Sequence, residues 1–323
     1  MASTIYLAAA VKAYFVRLAE AVGLLACLGT ALGFLGFLWW PIDLASCFRV
    51  QYLVVLLAVG ILLAVARRPK ASLTALVFAL ANLAMVAPFC LPPPVPETAG
   101  RSATLRAMLV NVNSERGDAD RVLALIDEFD PDFVLLEEID HVWVRRLEKL
   151  ATSHPHRIVK PRMDNFGIGL FSRLPLASAA IVEIGDAAVP SILARFELSD
   201  HSFLFLGTHP PPPASAEYTA WRDGQLAQIP GFLGQEMRPV LLLGDLNVTS
   251  WSYPYRKLLK EARLFDSSRG FGVQPTWPVN VPPLLIPIDH CLHSEGIEIE
   301  KRIIGPDVGS DHYPVIVDFH LTG

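Results

Sequence analysis

The sequence predicts an α/β domain of two sheets packed face to face with helices outside them, preceded by an apolar helical anchor. Three observations carry that expectation. Charge and hydropathy are distributed unevenly along the chain, strand-like and helix-like segments alternate in mixed order after residue 104, and polar residues recur where the strand-like segments end.

The 323 residues are 52% hydrophobic, and the mean hydropathy of +0.39 is high for a soluble enzyme. Most of the excess lies at the N-terminus. Residues 1–96 hold six of the 27 basic residues (Lys12, Arg17, Arg49, Arg67, Arg68, Lys70) and two of the 32 acidic ones (Glu20, Asp43). The remainder keeps 21 basic and 30 acidic residues, a formal charge of −9. Binding a phosphate backbone by counterion release needs the opposite sign, so tight non-specific duplex binding is disfavoured. Cys27, Cys47 and Cys90 lie in or near the apolar segments and Cys291 stands alone beyond them, which excludes a disulfide framework or a cysteine metal site in the polar part.

Residues 1–91 read as a membrane anchor of about three transmembrane helices. Ala21 to Trp40 carries no charge, matches the ~20 residues a spanning helix needs, and ends in an interfacial Trp39-Trp40 pair. Tyr52 to Ala66 is shorter and extends toward Leu44 only by including Arg49. Ala71 to Leu91 is long enough but contains Asn82 and Pro88. A repeated apolar pattern of this length does not fit a cleaved signal peptide. Arg67, Arg68 and Lys70 lie between the second and third runs, and basic residues in short loops stay cytoplasmic. With three spans, the following domain is then extracytoplasmic. The expected location is a membrane, with the lipid bilayer as partner through these helices and no protein partner inferred. Residues 92–104 are a Pro-rich linker, opened by the stiff run L-P-P-P-V-P.

Residues 105–323 form the polar domain. Leu105 to Val112 reads as a buried strand and Ala119 to Phe129 as an amphipathic helix with Val122, Leu125, Ile126 and Phe129 on one face. A strand from Phe133 to Ile139 and a helix from Val142 to Leu150 follow. Further strands are expected at Gly167–Ser172, Ala180–Ile184, Ile192–Leu198 and Phe203–Thr208, then a helix at Ser215–Ile229. The chain closes with strands at Ile288–His293, Ile297–Ile303 and Pro314–Phe319. This mixed order differs from a doubly wound Rossmann sheet, and no G-x-G-x-x-G or phosphate-cradling loop occurs.

The stretch V-L-L-L-G-D-L-N, Val240 to Asn247, organises the rest. Its apolar run reads as a strand buried on both faces, and Gly244 as the place where that strand ends with backbone exposed. Residues two apart on a strand share a face, so Asp245 and Asn247 project together, a carboxylate beside an amide suited to orienting and deprotonating water. A turn also favours Asp and Asn. Other polar groups end other strands: Asn111 and Asn113, Glu137 and Glu138, His209, Asp289-His290, and Ser310-Asp311-His312. His290 and His293 flank Cys291, but on a strand they face opposite sides, which argues against zinc.

The series N-V-N, L-L-E-E, T-H, G-D-L-N, I-D-H and G-S-D-H, in this order from about Leu105 to Phe319, resembles the endonuclease/exonuclease/phosphatase superfamily, which includes DNase I-like nucleases and neutral sphingomyelinases. Within it the chain is most similar to the bacterial membrane-anchored branch. The resemblance implies a four-layered α/β sandwich and hydrolysis of a phosphate ester with Mg²⁺, or Mn²⁺ in its place. It assigns Glu138 as the main metal ligand, with Asn113 and Asp311 beside it. Asp245 orients and deprotonates the attacking water, and Asn247 holds the phosphate. His312, polarised by Asp289, and His209 contact the scissile phosphate. Glu137 stands where the family commonly has glutamine, and Asn113 where some nucleases have aspartate.

The expected function is a membrane-anchored phosphodiesterase or nuclease-type hydrolase. Its substrate is a nucleic acid, a lipid head group or a small phosphoester; a phospholipid or sphingomyelin-type head-group hydrolase or phosphatase uses the same site. The alternative from another class is a non-catalytic binding module on this fold, which should have lost metal or base positions, whereas none is missing here.

Overall fold

A computed structural model of the chain describes residues 2–92, 103–234 and 239–322. Most of the linker expected at 92–104 lies outside them. The chain divides into two compact units, Met1–Pro88 with Trp251–Tyr253, and Phe89–Ser250 with Pro254–Gly323.

The helical unit consists of α1 (Ala2–Phe34), α2 (Trp40–Asp43), α3 (Arg49–Val65) and α4 (Pro69–Cys90). Three stretches, Ala9–Phe34, Trp40–Val65 and Pro69–Cys90, are long and apolar enough to cross a membrane. The first two begin well before the uncharged runs do. Arg49, which limits the second run, lies inside the helical stretch and is buried. Its Nη1 donates to the Thr30 carbonyl at 3.0 Å and to Asn82 Oδ1 at 3.4 Å, and its guanidinium lies 4.1 Å from the centre of the Phe34 ring. Asn82 Nδ2 in turn donates to Thr30 Oγ1 at 2.8 Å. The two residues that interrupt the apolar pattern of their segments therefore bond to each other across the helices. Trp251 and Tyr253 belong to this unit too: the Trp251 indole donates to the Met85 carbonyl at 3.0 Å, and the Tyr253 amide to Asp43 Oδ1 at 2.8 Å.

The second unit contains β1 (Leu105–Asn111), α5 (Ala119–Phe129), β2 (Phe133–Glu137), α6 (His141–Arg146), α7 (Leu150–Ser153), β3 (His156–Lys160), β4 (Ile168–Ser172), β5 (Leu176–Glu183), β6 (Pro190–Glu197), β7 (Ser202–Thr208), α8 (Ala216–Leu233), β8 (Val240–Asp245), α9 (Tyr253–Ala262, most of which belongs here), β9 (Phe265–Asp266), β10 (Asp289–His293), β11 (Ile297–Ile304) and β12 (Val315–Leu321). Two mixed six-stranded sheets form, ordered β11-β12-β1-β2-β4-β3 and β5-β6-β7-β8-β10-β9.

Alternation along the strands builds the layers. Leu105, Ala107 and Leu109 of β1, Phe133 and Leu135 of β2, and Leu241 and Leu243 of β8 join the core between the sheets, where Phe133 meets Phe196 and Phe205 with ring centres 5.1 and 5.5 Å apart. Met108, Val110, Val134 and Leu136 point the other way, onto Val122, Leu125 and Ile126 of α5. Leu242 faces Leu226 and Ile229 of α8 and Tyr255 and Leu258 of α9. Helices, sheet, sheet and helices make the four layers expected. Two helix starts follow their capping residues: Asp118 accepts from Asp120 N and Arg121 N before α5, and Ser215 from Tyr218 N before α8. The helix expected at Val142–Leu150 is broken into α6, a 3₁₀ turn and α7. Strand β3 and helix α9 were not foreseen; β3 is only half-buried and lacks an apolar run.

Candidate active site

The parity that fills the core also delivers the site. Asn111, Glu137, Asp245 and Asp289 continue the inward-facing rows of β1, β2, β8 and β10, and His209 follows the last residue of β7. Asn111 pairs with Glu137 in the parallel β1/β2 ladder, and Asp289 with Asp245 in the antiparallel β10/β8 ladder. The Asp245 amide donates to Glu137 Oε2 at 2.9 Å, so the two sheets are joined at this rim. All five side chains are buried.

Gly244 lies within the buried strand and does not end it with exposed backbone. A Cβ there would sit 1.8 Å from the Thr208 carbonyl oxygen, so glycine is what lets β7 and β8 approach at the site. G-D-L-N forms the turn that its residues favour. Asn247 adopts φ 53°, its amide donates to Asp245 Oδ1 at 2.9 Å, and its Nδ2 donates to the Pro210 carbonyl at 3.0 Å. Asn247 therefore leaves the strand face on which spacing alone placed it. Asn113 and Glu138 also have positive φ, 44° and 61°. Three left-handed residues just past three strand ends, each costing of order 1–3 kcal/mol, are held by their surroundings.

Asp245 Oδ2 is the centre of the cluster. It lies 3.3 Å from Asn111 Nδ2, 3.5 Å from His209 Nε2 and 3.7 Å from His312 Nε2. His312 Nδ1 is 2.9 Å from Asp289 Oδ2, and its amide donates to Ser310 Oγ, which donates to the Asn111 carbonyl. Asn111 Nδ2 also donates to Glu138 Oε1 at 2.9 Å. Asn113 Nδ2 donates to Asp311 Oδ1 at 2.7 Å, and the Trp277 indole to Asp311 Oδ2 at 3.1 Å. Every expected site residue is thus near this rim, in a network whose second half is Asn113, Asp311 and Trp277.

Burial and charge displace the titrations. Burial opposes a charged imidazole at His312, but the Asp289 and Asp245 carboxylates outweigh it and raise the group to about 10. Burial opposes protonation of His209 as well, yet its bond to Asp245 and the nearby glutamates raise it to about 9. Burial pushes Glu137 up to about 8, against the pull of His209. Glu138 is raised by burial, while Asp245 is lowered because the two imidazoles overcome its burial. Asp245 is accordingly an anion between two cations, and Glu137 a neutral acid at neutral pH.

The donor set fits a hard divalent cation. Glu138, Asp311 and Asp245 offer carboxylate oxygens, the ligand type Mg²⁺ and Mn²⁺ prefer, and the Asn111 and Asn113 side chains hold these carboxylates by donating Nδ2 to them. Ligand atoms of Asp245, Asp289 and His312 also lie within 4.8 Å of one another. In that trio the 2.9 Å bond between His312 and Asp289 already occupies the imidazole Nδ1, so the oxygen-rich side at Glu138 suits a cation better. Sequence reasoning quoted Asn111 in N-V-N but favoured Asn113. The available signal was parity: Asn111 continues the inward row of Ala107 and Leu109 into the rim. Trp277 had no signal, because a single indole in a loop reveals no partner until the loop folds. His290 is no ligand candidate: its Nε2 is 2.8 Å from the Val248 carbonyl and its ring packs on Tyr255.

Residues 108–312 match the sequence model of the Endonuclease/Exonuclease/phosphatase family. No curated protein matches the chain significantly. Among solved structures, the chain is similar to an endonuclease/exonuclease/phosphatase from Beutenbergia cavernae, at 20% identity and TM-score 0.58, covering 68% of this chain and 72% of that one. It is similar to D. rerio TDP2 complexed with a single-strand DNA product, at 17% identity and TM-score 0.57, over 68% and 99% of the two chains. Sphingomyelinase C from Streptomyces griseocarneus superposes with TM-score 0.51 at 19% identity, over 67% and 99%. These likenesses concern the fold.

Proposed function

Because the chain belongs to the endonuclease/exonuclease/phosphatase family, and so to a fold of phosphoester hydrolases that are generally divalent-metal dependent, we propose that it is a membrane-anchored, Mg²⁺-dependent phosphoester hydrolase. The observation that carries this reading is the Asp245 carboxylate, buried and ionised between two charged imidazoles at the position of the family's G-D-x-N aspartate.

Asp245 Oδ2 accepts a proton from the attacking water and orients its lone pair toward phosphorus. The His209 and His312 imidazolium groups and the Asn247 amide hold the phosphoryl oxygens, where negative charge grows. Asp289 fixes the His312 ring with Nδ1–H toward itself, so that Nε2–H faces the substrate. Water oxygen bonds to phosphorus, the bond from phosphorus to the ester oxygen breaks, and a proton passes to the leaving alkoxide. Glu138, oriented by the Asn111 Nδ2 donor, would hold the cation, assisted by Asp311 and Asn113; when bound, the cation would supply charge neutralisation at the phosphate.

The three apolar helices act as the anchor. With Arg67, Arg68 and Lys70 in the cytoplasm, the site lies outside it, and a reporter fused after Gly323 is active only in the extracytoplasmic compartment. A domain charge of −9 favours lipid head groups or small phosphoesters over polyanionic duplexes. The full chain should be incubated with Mg²⁺ and DNA, RNA, sphingomyelin and inositol phosphates. Turnover that survives both Asp245→Ala and His312→Ala would falsify the assignment.

A further inference from the structure

Helix α8 carries a buried cation that the chemistry above does not use. Arg222 is 2% exposed, and a buried guanidinium must find acceptors for its fork of donors. Its Nε and Nη2 both reach Asp223 Oδ1, at 2.9 and 2.8 Å, so the next residue on the helix neutralises the charge and sets the plane of the group. The third nitrogen, Nη1, donates to the main-chain carbonyl of Asn247 at 2.9 Å. The helix beneath is firmly seated: three residues on, Gln225 Nε2 donates to Thr208 Oγ1 at 2.8 Å, and Leu226 and Ile229 pack with Leu206 and Leu242. A guanidinium fixed at both its stem and its fork is a stiff arm, not a mobile surface charge.

What the arm holds lies next to the chemistry. Asn247 is in the left-handed region, φ 53°, where a residue with a Cβ rests only if its neighbours keep it there. Rotation toward an ordinary backbone conformation would swing its carbonyl away from Arg222 Nη1. It would also take the Asn247 amide off Asp245 Oδ1, its acceptor at 2.9 Å. That bond engages one oxygen of the general base and leaves Oδ2 to face His209 and His312. The Asn247 side chain has its own tether, Nδ2 to the Pro210 carbonyl at 3.0 Å. Arg222 therefore governs the main chain of the turn, and through it the Asp245 carboxylate.

We propose that Arg222, braced by Asp223, is a positioning residue that clamps the G-D-L-N turn in its left-handed form and so aims Asp245 Oδ2 at the attacking water. It acts through Asn247 and not on the substrate. The effect on rate rests on the phosphoester-hydrolase reading above; the clamp is a matter of local order and can be read without turnover.

Two measurements on the full chain in detergent micelles test it. In the first, amide hydrogen exchange is followed by mass spectrometry in wild type, Arg222→Met and Arg222→Lys. Methionine keeps an apolar stem and no donor; lysine keeps a cation beside Asp223 but has one nitrogen for two directions. Residues 245–250 should exchange about tenfold or more faster than in wild type, with the rest of β8 and α8 changed less than about twofold. Wild-type exchange over 245–250 in either variant that folds overturns the clamp. So does loosening spread evenly over β7, β8 and α8, which marks a residue that only supports the fold. In the second, turnover of bis(p-nitrophenyl) phosphate per folded molecule is compared for Arg222→Lys alone and in an Asp245→Asn background. The clamp requires a loss of about tenfold or more alone, and of less than about twofold where the base is already absent. Undiminished turnover alone, or an equal loss in both backgrounds, overturns the positioning of Asp245. Wild-type inactivity on every ester, with local exchange raised as expected, sinks the hydrolase reading and leaves the clamp standing.

Discussion

The two units each bury a polar cluster, and the clusters are built on opposite terms. In the helical unit, the Arg49 guanidinium meets neutral partners, the Thr30 carbonyl and the Asn82 amide, and Asn82 is itself shared with Thr30. At the rim of the sheets, three carboxyl groups and two imidazoles crowd around Asp245, and Glu137 Oε1, Asp289 Oδ1 and His209 Nδ1 are buried without a hydrogen-bond partner. The first cluster holds helices together. The second gathers ionisable groups whose titrations burial and charge displace, which is the condition for acting on something else.

That contrast makes separable predictions, the largest at the rim. Asp245→Asn and His312→Ala should each cut turnover per folded molecule about a hundredfold to ten-thousandfold, read by steady-state kinetics at temperatures where thermal unfolding shows the variant folded. Turnover per folded molecule close to that of wild type would mean that the rim is structural after all.

Asn82→Ala should show the reverse. Removing an acceptor from a buried guanidinium costs about 1–3 kcal/mol, seen as earlier unfolding in detergent, with turnover per folded molecule unchanged. Falling turnover at temperatures where the variant remains folded would erase the distinction between the two clusters.

Trp277→Phe keeps an aromatic ring and deletes the indole donor to Asp311. One lost bond to a charged group, about 1–2 kcal/mol, should lower turnover roughly fivefold to thirtyfold. The Mg²⁺ concentration for half-maximal rate should rise as Asp311 loosens; an unchanged Mg²⁺ requirement would take Asp311 out of the cation's reach.

Stability against pH in metal-free buffer distinguishes the rim as well. Glu137 titrates at about 8 when folded against 4.5 ordinarily, and His209 and His312 at about 9 and about 10 against 6.5. In each case the folded chain keeps a proton that the unfolded chain has released. The stability this adds is complete below the ordinary value and drains away as pH climbs to the folded one. The melting temperature should therefore fall from pH 5 to 8 through Glu137 and from pH 7 to 10 through the histidines. Glu137→Gln, neutral and of the same shape, should flatten the first decline and leave the second; identical profiles would show that Glu137 is ionised.

Much of this was legible in the residues. The buried run before Asp245 is β8, Ala119–Phe129 is helix α5 to the residue, and the strand-end carboxylates and imidazoles do meet at one rim. Periodicity and capping are local and survive any tertiary arrangement, so they could be read directly. Glu137 and Glu138 differ by one position, and one position on a strand is the difference between the face packed between the sheets and the turn beyond it.

The sequence alone determined the long apolar helical segments, the alternation that makes two sheets, and the inventory of acids, amides and imidazoles at strand ends, because each depends on residues a few places apart. Tertiary structure alone decided that Asn111 bridges Glu138 and Asp245, that Arg49 and Asn82 are partners, and that Trp277 grips Asp311. Those contacts join residues 27 to 134 positions apart or depend on how a loop closes. No local pattern encodes them, since their energy exists only after the sheets have paired and brought the groups within hydrogen-bonding distance.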